Sequence, residues 1–482
     1  MSKALRVAVE PLVVVPGSPW FVGARTGRAV LLTGSHTWNN FQDLDLHDPP
    51  RSFDYDTYLD FLERHGHDLI RLYVWEQAAG FAGMHETVTI VPLPWARTGP
   101  GVALDGEPRF DLDRFDPAYF ARLRDRVDRA AARGIYVSVM LFDGWSVEAK
   151  GQPVGNPWLG HPFNRANNVN GVDGDTNGDG EGTEVHSLEN PRVTELQRQY
   201  LAQVVRTLWG AENVLFEISN ESAHTSVEWQ YEMIRSIRAL EAAAPVKHPI
   251  GMTATFPEDI RGNTPLLDSP ADWISPHVEP WEADEAPRVA TDKIVFEDTD
   301  HVFGVGGTVR WVWTRFARGE NVLFMDPCTT AIDAKLLPTW RAGDSAPALP
   351  APCPGAQWEP VRTALGQARA LAQRLELGAL TPHPELSSTS ACLANPGREY
   401  LVFAPLTHRR LGPWLGLLSV RLGAPLFSVD VSAAQGPLAA EWVNTRTGEL
   451  VPGQAIAGGA RVELRAPFVA DAVLHLRAAS PR

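Results

Sequence analysis

The chain has 482 residues, too many for one ordinary core, and its length suggests two or three domains. A hydrophobic fraction of 44% and a charged fraction of 21% suit a soluble globular protein, and no apolar run approaches the roughly 18 residues of a membrane helix. A formal charge of −15 argues against nucleic acid, which calls for a basic face.

The opening, Met1 to Glu10, lacks the apolar core of a secretory signal. The expected compartment is the cytoplasm, or the exterior if a leader has been removed. Residues 7–27 look extended, and segment 1–28 is expected to pack on the rest. From about residue 29 to 375, short apolar runs alternate with segments of helical period, the sign of βα units around a parallel sheet. Arg28–Leu32 opens a strand ending in Thr33-Gly-Ser-His-Thr-Trp38, and Tyr55–Arg64 reads as a helix. His67–Trp75 is the second strand. Pro117 starts a helix that runs to Ala132, and Gly134 suits its stop. Ile135–Phe142 is a third strand, buried on both faces. A long insertion, 146–190, precedes a helix over Arg192–Leu208. Asn213–Ser219 is the fourth strand and Val227–Ala243 a helix. Pro249–Thr255, Trp273–Val278, Lys293–Phe296 and Asn321–Met325 supply strands five to eight, with helices over Val309–Arg318 and Val361–Leu375. Eight strands predict an α/β fold, a (β/α)8 TIM barrel over 29–380. No glycine-rich phosphate turn points to an open doubly wound sheet.

Beyond Pro382 short strands such as Glu399–Phe403, Leu426–Val431, Ala440–Val443 and Ala472–Leu476 are separated by Gly, Pro and Asn turns. Residues 381–482 are therefore expected to form a small C-terminal antiparallel β-sandwich, with Asn444–Gly448 as a hairpin tip. Cys328, Cys353 and Cys392 make no metal motif and no dense disulfide framework. Pairing of Cys328 with Cys353 stays open beside free thiols. Sixteen tryptophans suit core packing, and some would suit stacking against sugar rings.

In such a barrel the C-terminal strand ends build the active site. Here they are polar and rich in acid: Ser35 to Trp38, Trp75-Glu76, Asp143 to Trp145, Asn220-Glu221, His277, Glu297 to His301, and Met325-Asp326. Hydrolysis of a glycosidic bond needs two carboxylates, and opposite strands would let a sugar sit between them. Glu217, inside the fourth strand, must be paired or protonated, and a structural salt bridge with Arg71 is expected.

Phe216-Glu-Ile-Ser-Asn-Glu221 resembles the fourth-strand signature of the clan A glycoside hydrolases. The resemblance implies that Glu221 is the acid/base, that Asn220 binds the hydroxyl beside the reacting carbon, and that Arg71 steadies the nucleophile. It also places the nucleophile at the end of strand seven. Glu297 fits that place by type, but the usual Glu-x-Gly pattern is missing, and Asp298 and Asp300 compete with it. Neighbours 297 and 298 point opposite ways, so only one of them should face the lumen. The barrel and short β-domain together resemble bacterial apiosidase-like proteins whose C-terminal domain carries a collagen-binding label. A plainer reading of Glu221 is a cap on the following helix.

His36, Trp38, Trp75, Trp145 and His277 are candidate sugar contacts, and Asp326 would make the subsite at the eighth strand polar. Within the insertion, residues 173–184 match the twelve-position calcium loop. Asp173, Asp175, Asn177, Asp179, Glu181 and Glu184 take positions 1, 3, 5, 7, 9 and 12, with Gly178 at 6. A structural Ca2+ is expected there, and no organic cofactor. The reading is thus a two-carboxylate glycosidase of the retaining type with a saccharide substrate. A metal-dependent barrel using His277, Asp298, Asp300, His301 and Asp326 is one alternative. A non-catalytic glycan- or surface-binding protein on a decayed barrel is the other.

Overall fold

The computed structural model describes residues 8–257, 260–279, 284, 286–302, 304–326, 356–407 and 423–478. Cys328 and Cys353 lie outside the described residues. Eight parallel strands close a barrel: β1 (Thr33–His36), β2 (Leu69–Leu72), β3 (Tyr136–Asp143), β4 (Val214–Asn220), β5 (Ile250–Thr253), β6 (Trp273–Ser275), β7 (Ile294–Asp298) and β8 (Asn321–Met325). β8 pairs with β1 to complete the ring, Met325 standing opposite His36. This is the (β/α)8 TIM barrel expected from the sequence.

The helices around it are α1 (Tyr55–His65), α2 (Pro117–Ala131), α3 (Pro191–Thr207), α4 (Val227–Leu240), the short α5 (Thr264–Asp268), α6 (Val309–Phe316) and α7 (Glu359–Ala372). Their starts are marked chemically. Asp54, Asp116, Asn190 and Thr308 each accept a backbone N–H of the first turn of α1, α2, α3 and α6, and prolines open α2 and α3.

One strand differs from expectation. Ala29–Val30, within the apolar run expected to open strand one, pairs antiparallel with Phe21–Val22 in a three-stranded sheet that includes Leu12–Val14. The barrel strand is the polar stretch that follows, and the apolar run drew the boundary too early. A hairpin of Trp95–Val102 with Pro108–Phe115 was also unforeseen. The second half of its first strand, with Gly99, Pro100 and Gly101, is largely exposed and carries no apolar alternation.

The two faces of the barrel strands separate cleanly. Leu69, Leu215, Ile294, Phe296 and Leu323 form one inner cluster with Leu12 and Phe21 of the N-terminal sheet. Val214, Phe216, Ile218 and Val295, offset by one residue, belong to the outer cluster shared with the helices. Phe21 packs 5.6 Å from Phe296, which lies 5.0 Å from Trp273.

The C-terminal region is a six-stranded antiparallel sheet faced by the pair Leu426–Asp430 and Arg461–Arg465. Tyr400, Val402, Phe427, Val429, Trp442 and Leu474 fill the space between, and Cys392 is a buried free thiol beside them. This is a β-sandwich, and Asn444–Gly448 turns the chain between Leu438–Asn444 and Leu450–Pro452. Its other face places Leu393, Leu401, Phe403 and Val473 in one cluster with Trp311 and Phe316 of α6 and Leu365 and Leu371 of α7. Barrel and sandwich therefore share an apolar core. No helix among the described residues is long and apolar enough to cross a membrane.

Since Phe21 is fully buried against the inner cluster, Phe21→Ala is expected to cost about 3–5 kcal/mol. Urea titration should show a lower midpoint at unchanged slope. An unmoved midpoint would mean that the N-terminal sheet does not brace the barrel.

Candidate active site

Strand parity decides which side chains enter the lumen. Arg71 of β2 reaches inward and meets three carboxylates: Glu217 at 2.8 Å, Asp298 at 2.7 Å and Asp300 at 3.3 Å. Ser138 of β3 donates to the Glu217 carboxylate at 3.3 Å. The ion pair of Glu217 with Arg71 is the one expected from the sequence.

Asp298 closes β7 on the same inward parity as Ile294 and Phe296. Its Oδ1 accepts the backbone N–H of Asp300 at 3.0 Å and lies 3.3 Å from Nε2 of His36. Burial alone would raise its carboxyl, but Arg71 and His36 hold it well below the usual carboxylate range. Asp300, one turn further on, behaves oppositely. Burial first, then the charges of Glu221 and Asp298, push it well above that range despite Arg71.

Glu297 faces the other way. It sits in the outer layer, 3.5 Å from Arg315 of α6, and Glu320 also bears on it. Of the two adjacent candidates, the lumen receives Asp298.

Glu221 follows β4 with φ of 44°, a left-handed conformation uncommon for a residue with a Cβ. Trp145 donates its indole N–H to Glu221 Oε2 at 2.5 Å, and Lys150 Nζ donates to its backbone carbonyl at 2.9 Å. Gly144 lies so close that a Cβ there would fall 2.2 Å from the Glu221 carbonyl oxygen. Only glycine admits that approach.

Beside Glu221 runs a polar network. Asn220 Nδ2 donates to the Tyr73 hydroxyl at 3.0 Å, and Tyr73 donates to Asp143 Oδ1 at 3.2 Å. On its other side Asn220 Oδ1 lies 2.9 Å from His301 Nε2, while His301 Nδ1 lies 2.9 Å from the Ser275 hydroxyl. Burial lowers His301 to about 3, so it is neutral, with its proton on Nε2 toward the Asn220 oxygen. Strands β4 and β7 are thereby bridged at the rim. Tyr73 and Asp143 escaped attention as site residues, although Asp143 was visible as a polar strand end. Lys150 carried no signal at all.

The candidate sugar contacts divide by exposure. Trp38, Trp145 and His277 are partly exposed, and the His277 ring meets the backbone carbonyl of His301 at 2.9 Å. His36 is fully buried beneath Asp298. Trp75 is buried too, donating its indole N–H to Trp38 O at 2.7 Å and packing on Tyr73 and Phe81. Asp326 is paired with Arg362 by hydrogen bonds of 2.8 and 2.6 Å and has no exposed surface to offer a subsite.

The five side chains of the metal-dependent alternative do not converge, since Asp326 and His277 are engaged as just described. Among the described residues, His36, Asp298 and Asp300 have ligand-like spacing, their atoms within 4.8 Å of one another. The Arg71 guanidinium already pairs with Asp298 and Asp300, and a metal cation there would face a fixed positive charge.

In the 173–184 loop, Gly178 takes φ of 78° at the sharp turn. Asn177 Nδ2 donates to Asp179 and Glu184, while Asp175 accepts from Gly178 N and Gly180 N. Burial and the charges of Asp179 and Asp175 raise the Glu184 carboxyl, whose Oε2 is buried without a hydrogen-bond partner. Glu181 is raised as well, by burial and then by Glu148 and Asp179. Asp173 lines a separate surface groove with Asp113 and Arg192. Asn177 thus bridges positions 7 and 12, while the carboxylates of the loop stand further apart than ligands of one ion.

A family model described as a domain of unknown function, DUF6298, matches residues 88–259. No curated protein sequence matches the chain. Among solved structures, a protein described as a glycoside hydrolase aligns over 100% of both chains with a TM-score of 0.60 at 12% identity. A glycoside hydrolase family 5 protein from Bacteroides vulgatus aligns over 99% of this chain and 95% of its own, with a TM-score of 0.56 and 12% identity. At such identities the likeness establishes the fold, one that glycoside hydrolases have.

Burial, opposed by Arg315, raises the Glu297 carboxyl. A raised carboxyl stabilises the fold fully below its unfolded value near about pH 4.3, and the contribution is lost as pH rises through the folded value. Glu297→Gln removes that dependence. The melting temperature of the variant relative to wild type should therefore climb from pH 5 to pH 8. A constant difference would place an ionised Glu297 at both pH values.

Proposed function

We propose that the protein is a glycoside hydrolase that cleaves O-glycosidic bonds of oligo- or polysaccharides with two carboxylates, Glu221 and Asp300. The observation that carries this reading is the coupling of the pair. Burial and then the charge of Glu221 push the Asp300 carboxyl well above the usual carboxylate range, so Asp300 holds a proton beside Glu221. One acid and one carboxylate is the charge state from which two-carboxylate hydrolysis starts.

In this reading Glu221 protonates the leaving oxygen, with Trp145 holding its Oε2, and later takes a proton from the incoming water. Asp300 passes its proton to Glu221 as the sugar binds and then attacks the sugar carbon as the carboxylate, and Arg71 limits the cost of its charge. Asp298 is too buried and too tightly held by Arg71 and His36 to reach substrate, so it positions Arg71. Asn220 offers an amide to the neighbouring hydroxyl, while Trp38 and Trp145 present ring faces to the sugar. The clan A resemblance favours retention of configuration. The apiosidase-like resemblance favours a fragment of plant or microbial polysaccharide as substrate.

A panel of aryl glycosides and polysaccharide digests tests the proposal. Glu221→Gln and Asp300→Asn should each lower kcat by at least about a thousandfold on any substrate found, with unchanged circular dichroism, since each removes one half of a coupled pair. Full turnover by either variant would overturn the assignment. Proton NMR of the first-formed product should show the retained anomer.

We also propose that the 173–184 loop binds a structural Ca2+ through Asp175, Asn177, Asp179 and Glu184, with Glu181 assisting. The twelve-position spacing, the raised Glu184 and Glu181 carboxyls and the buried Glu184 Oε2 support it, since a cation would draw the loop together and relieve their repulsion. Calcium at 100 times its Kd would stabilise the fold by about 2.7 kcal/mol. Chelation should lower the melting temperature, and added calcium should restore it. Asp179→Ala should abolish that response, and a wild-type melting temperature indifferent to chelator would sink the site.

A further inference from the structure

A second cluster of titratable groups lies behind Glu221, outside the polar rim. Glu76 Oε1 lies 2.9 Å from Nε2 of His186, and the other ring nitrogen of His186 lies 2.9 Å from the Ser222 hydroxyl. Ser222 Oγ is in turn 2.5 Å from Ser219 Oγ. His186 is 1% exposed, Ser219 and Ser222 are fully buried, and Glu76 is mostly buried. His186 stacks on Trp229 with ring centroids 4.5 Å apart, which fixes its plane.

Carboxylate, imidazole and hydroxyl in this order activate a serine nucleophile in many hydrolases. Here the hydroxyl is fully buried, with no surface through which a substrate could reach it, so the arrangement serves position rather than nucleophilic attack. Burial would raise the Glu76 carboxyl, but His186 and His161 hold it down to about 2. The His186 ring thus bridges the two, with Nε2 turned to the Glu76 carboxylate and Nδ1 to the Ser222 hydroxyl. Glu76 also accepts the backbone N–H of Asp143 at 2.9 Å.

The consequence lies in the turn. Ser219 and Ser222 bracket Asn220 and Glu221, and their contact closes the turn in which Glu221 takes its positive φ. The Ser222 carbonyl accepts the N–H of Phe256 at 3.0 Å, which pins the next peptide. We propose that Glu76, His186 and Ser222 form a positioning relay that holds Glu221 in its left-handed backbone conformation and so aims its carboxylate. The proposal rests on the glycosidase reading for its effect on rate and on geometry alone for its effect on structure.

The Trp145 indole N–H, bonded to the Glu221 carboxylate, reports the aim without any substrate. In 15N-tryptophan-labelled full-length protein this resonance should stand far downfield, assigned by its loss in Trp145→Phe. Ser222→Ala and His186→Gln should both shift it upfield. His186→Asn, whose amide reaches the place of Nδ1 and can accept from Ser222, should move it back toward the wild-type position. On an aryl glycoside hydrolysed by the wild type, Ser222→Ala should lower kcat about ten- to a hundredfold with KM within about twofold, as a small misplacement of a reacting group does. An unmoved Trp145 resonance in Ser222→Ala overturns the relay, whatever happens to activity. Loss of the glycosidase reading instead would show as full turnover by Glu221→Gln with the resonance shifts intact. Ser222→Ala removes a single oxygen, so it keeps the test open if the His186 variants do not fold.

Discussion

The lumen of this barrel is organised by one buried cation. Arg71 meets Glu217, Asp298 and Asp300 and thereby ties β2 to β4 and to the end of β7. Removing one partner from such a buried group would leave charges without compensation, at a cost of about 3–5 kcal/mol. Yet one guanidinium cannot neutralise three carboxylates. The arithmetic of charge in a low dielectric obliges at least one to hold a proton, and the geometry selects which. Asp298 takes the shortest contact and the His36 ring and stays ionised. Asp300, further from Arg71 and facing Glu221, takes the proton. The reactivity proposed for the site is thus a remainder left by the structural demand of the core.

A second constraint comes from outside the barrel. The residues after β3 approach Glu221 from several directions: Gly144 against its carbonyl, Trp145 on its carboxylate and Lys150 on its backbone. The insertion returns at His186, just beyond the calcium-type loop. The barrel alone would leave the peptide after β4 free to relax from positive φ. Held between the strand end and the insertion, it has no room to do so. Only Val185 separates Glu184, the last position of that loop, from His186, whose ring meets Ser222 beside Glu221.

Much of this architecture was legible in the sequence, and the failures have a common cause. Strand order emerged because each apolar run is bounded by turn residues and helix caps. Glu217 was readable because a carboxylate inside an apolar strand must find a cation. The choice between Glu297 and Asp298 was not readable. β7 is buried on both faces, so Val295 and Phe296 are equally apolar and give no parity. Parity becomes visible only when Phe296 is seen on the inner cluster and Val295 on the outer one. Asp326 looked like a rim residue for the same reason, since its partner Arg362 lies on a helix far along the chain. Ser222 and His186, 36 residues apart, share no local pattern that could announce their contact.

The network beside the reactive pair also shapes its response to pH. Asp143 is raised to about 7, first by burial and then by the nearby Glu76 charge, while Ser146 pulls it down. As pH climbs through neutrality, Asp143 ionises within reach of Asp300, and its charge is one of those that raise the Asp300 carboxyl. An ionised Asp143 therefore strengthens the hold of Asp300 on its proton. Tyr73 and Asn220 link Asp143 to the rim without carrying net charge, so they pass on position while Asp143 supplies the field. The same burial that makes Asp143 a poor surface anion makes it an effective regulator of its neighbours.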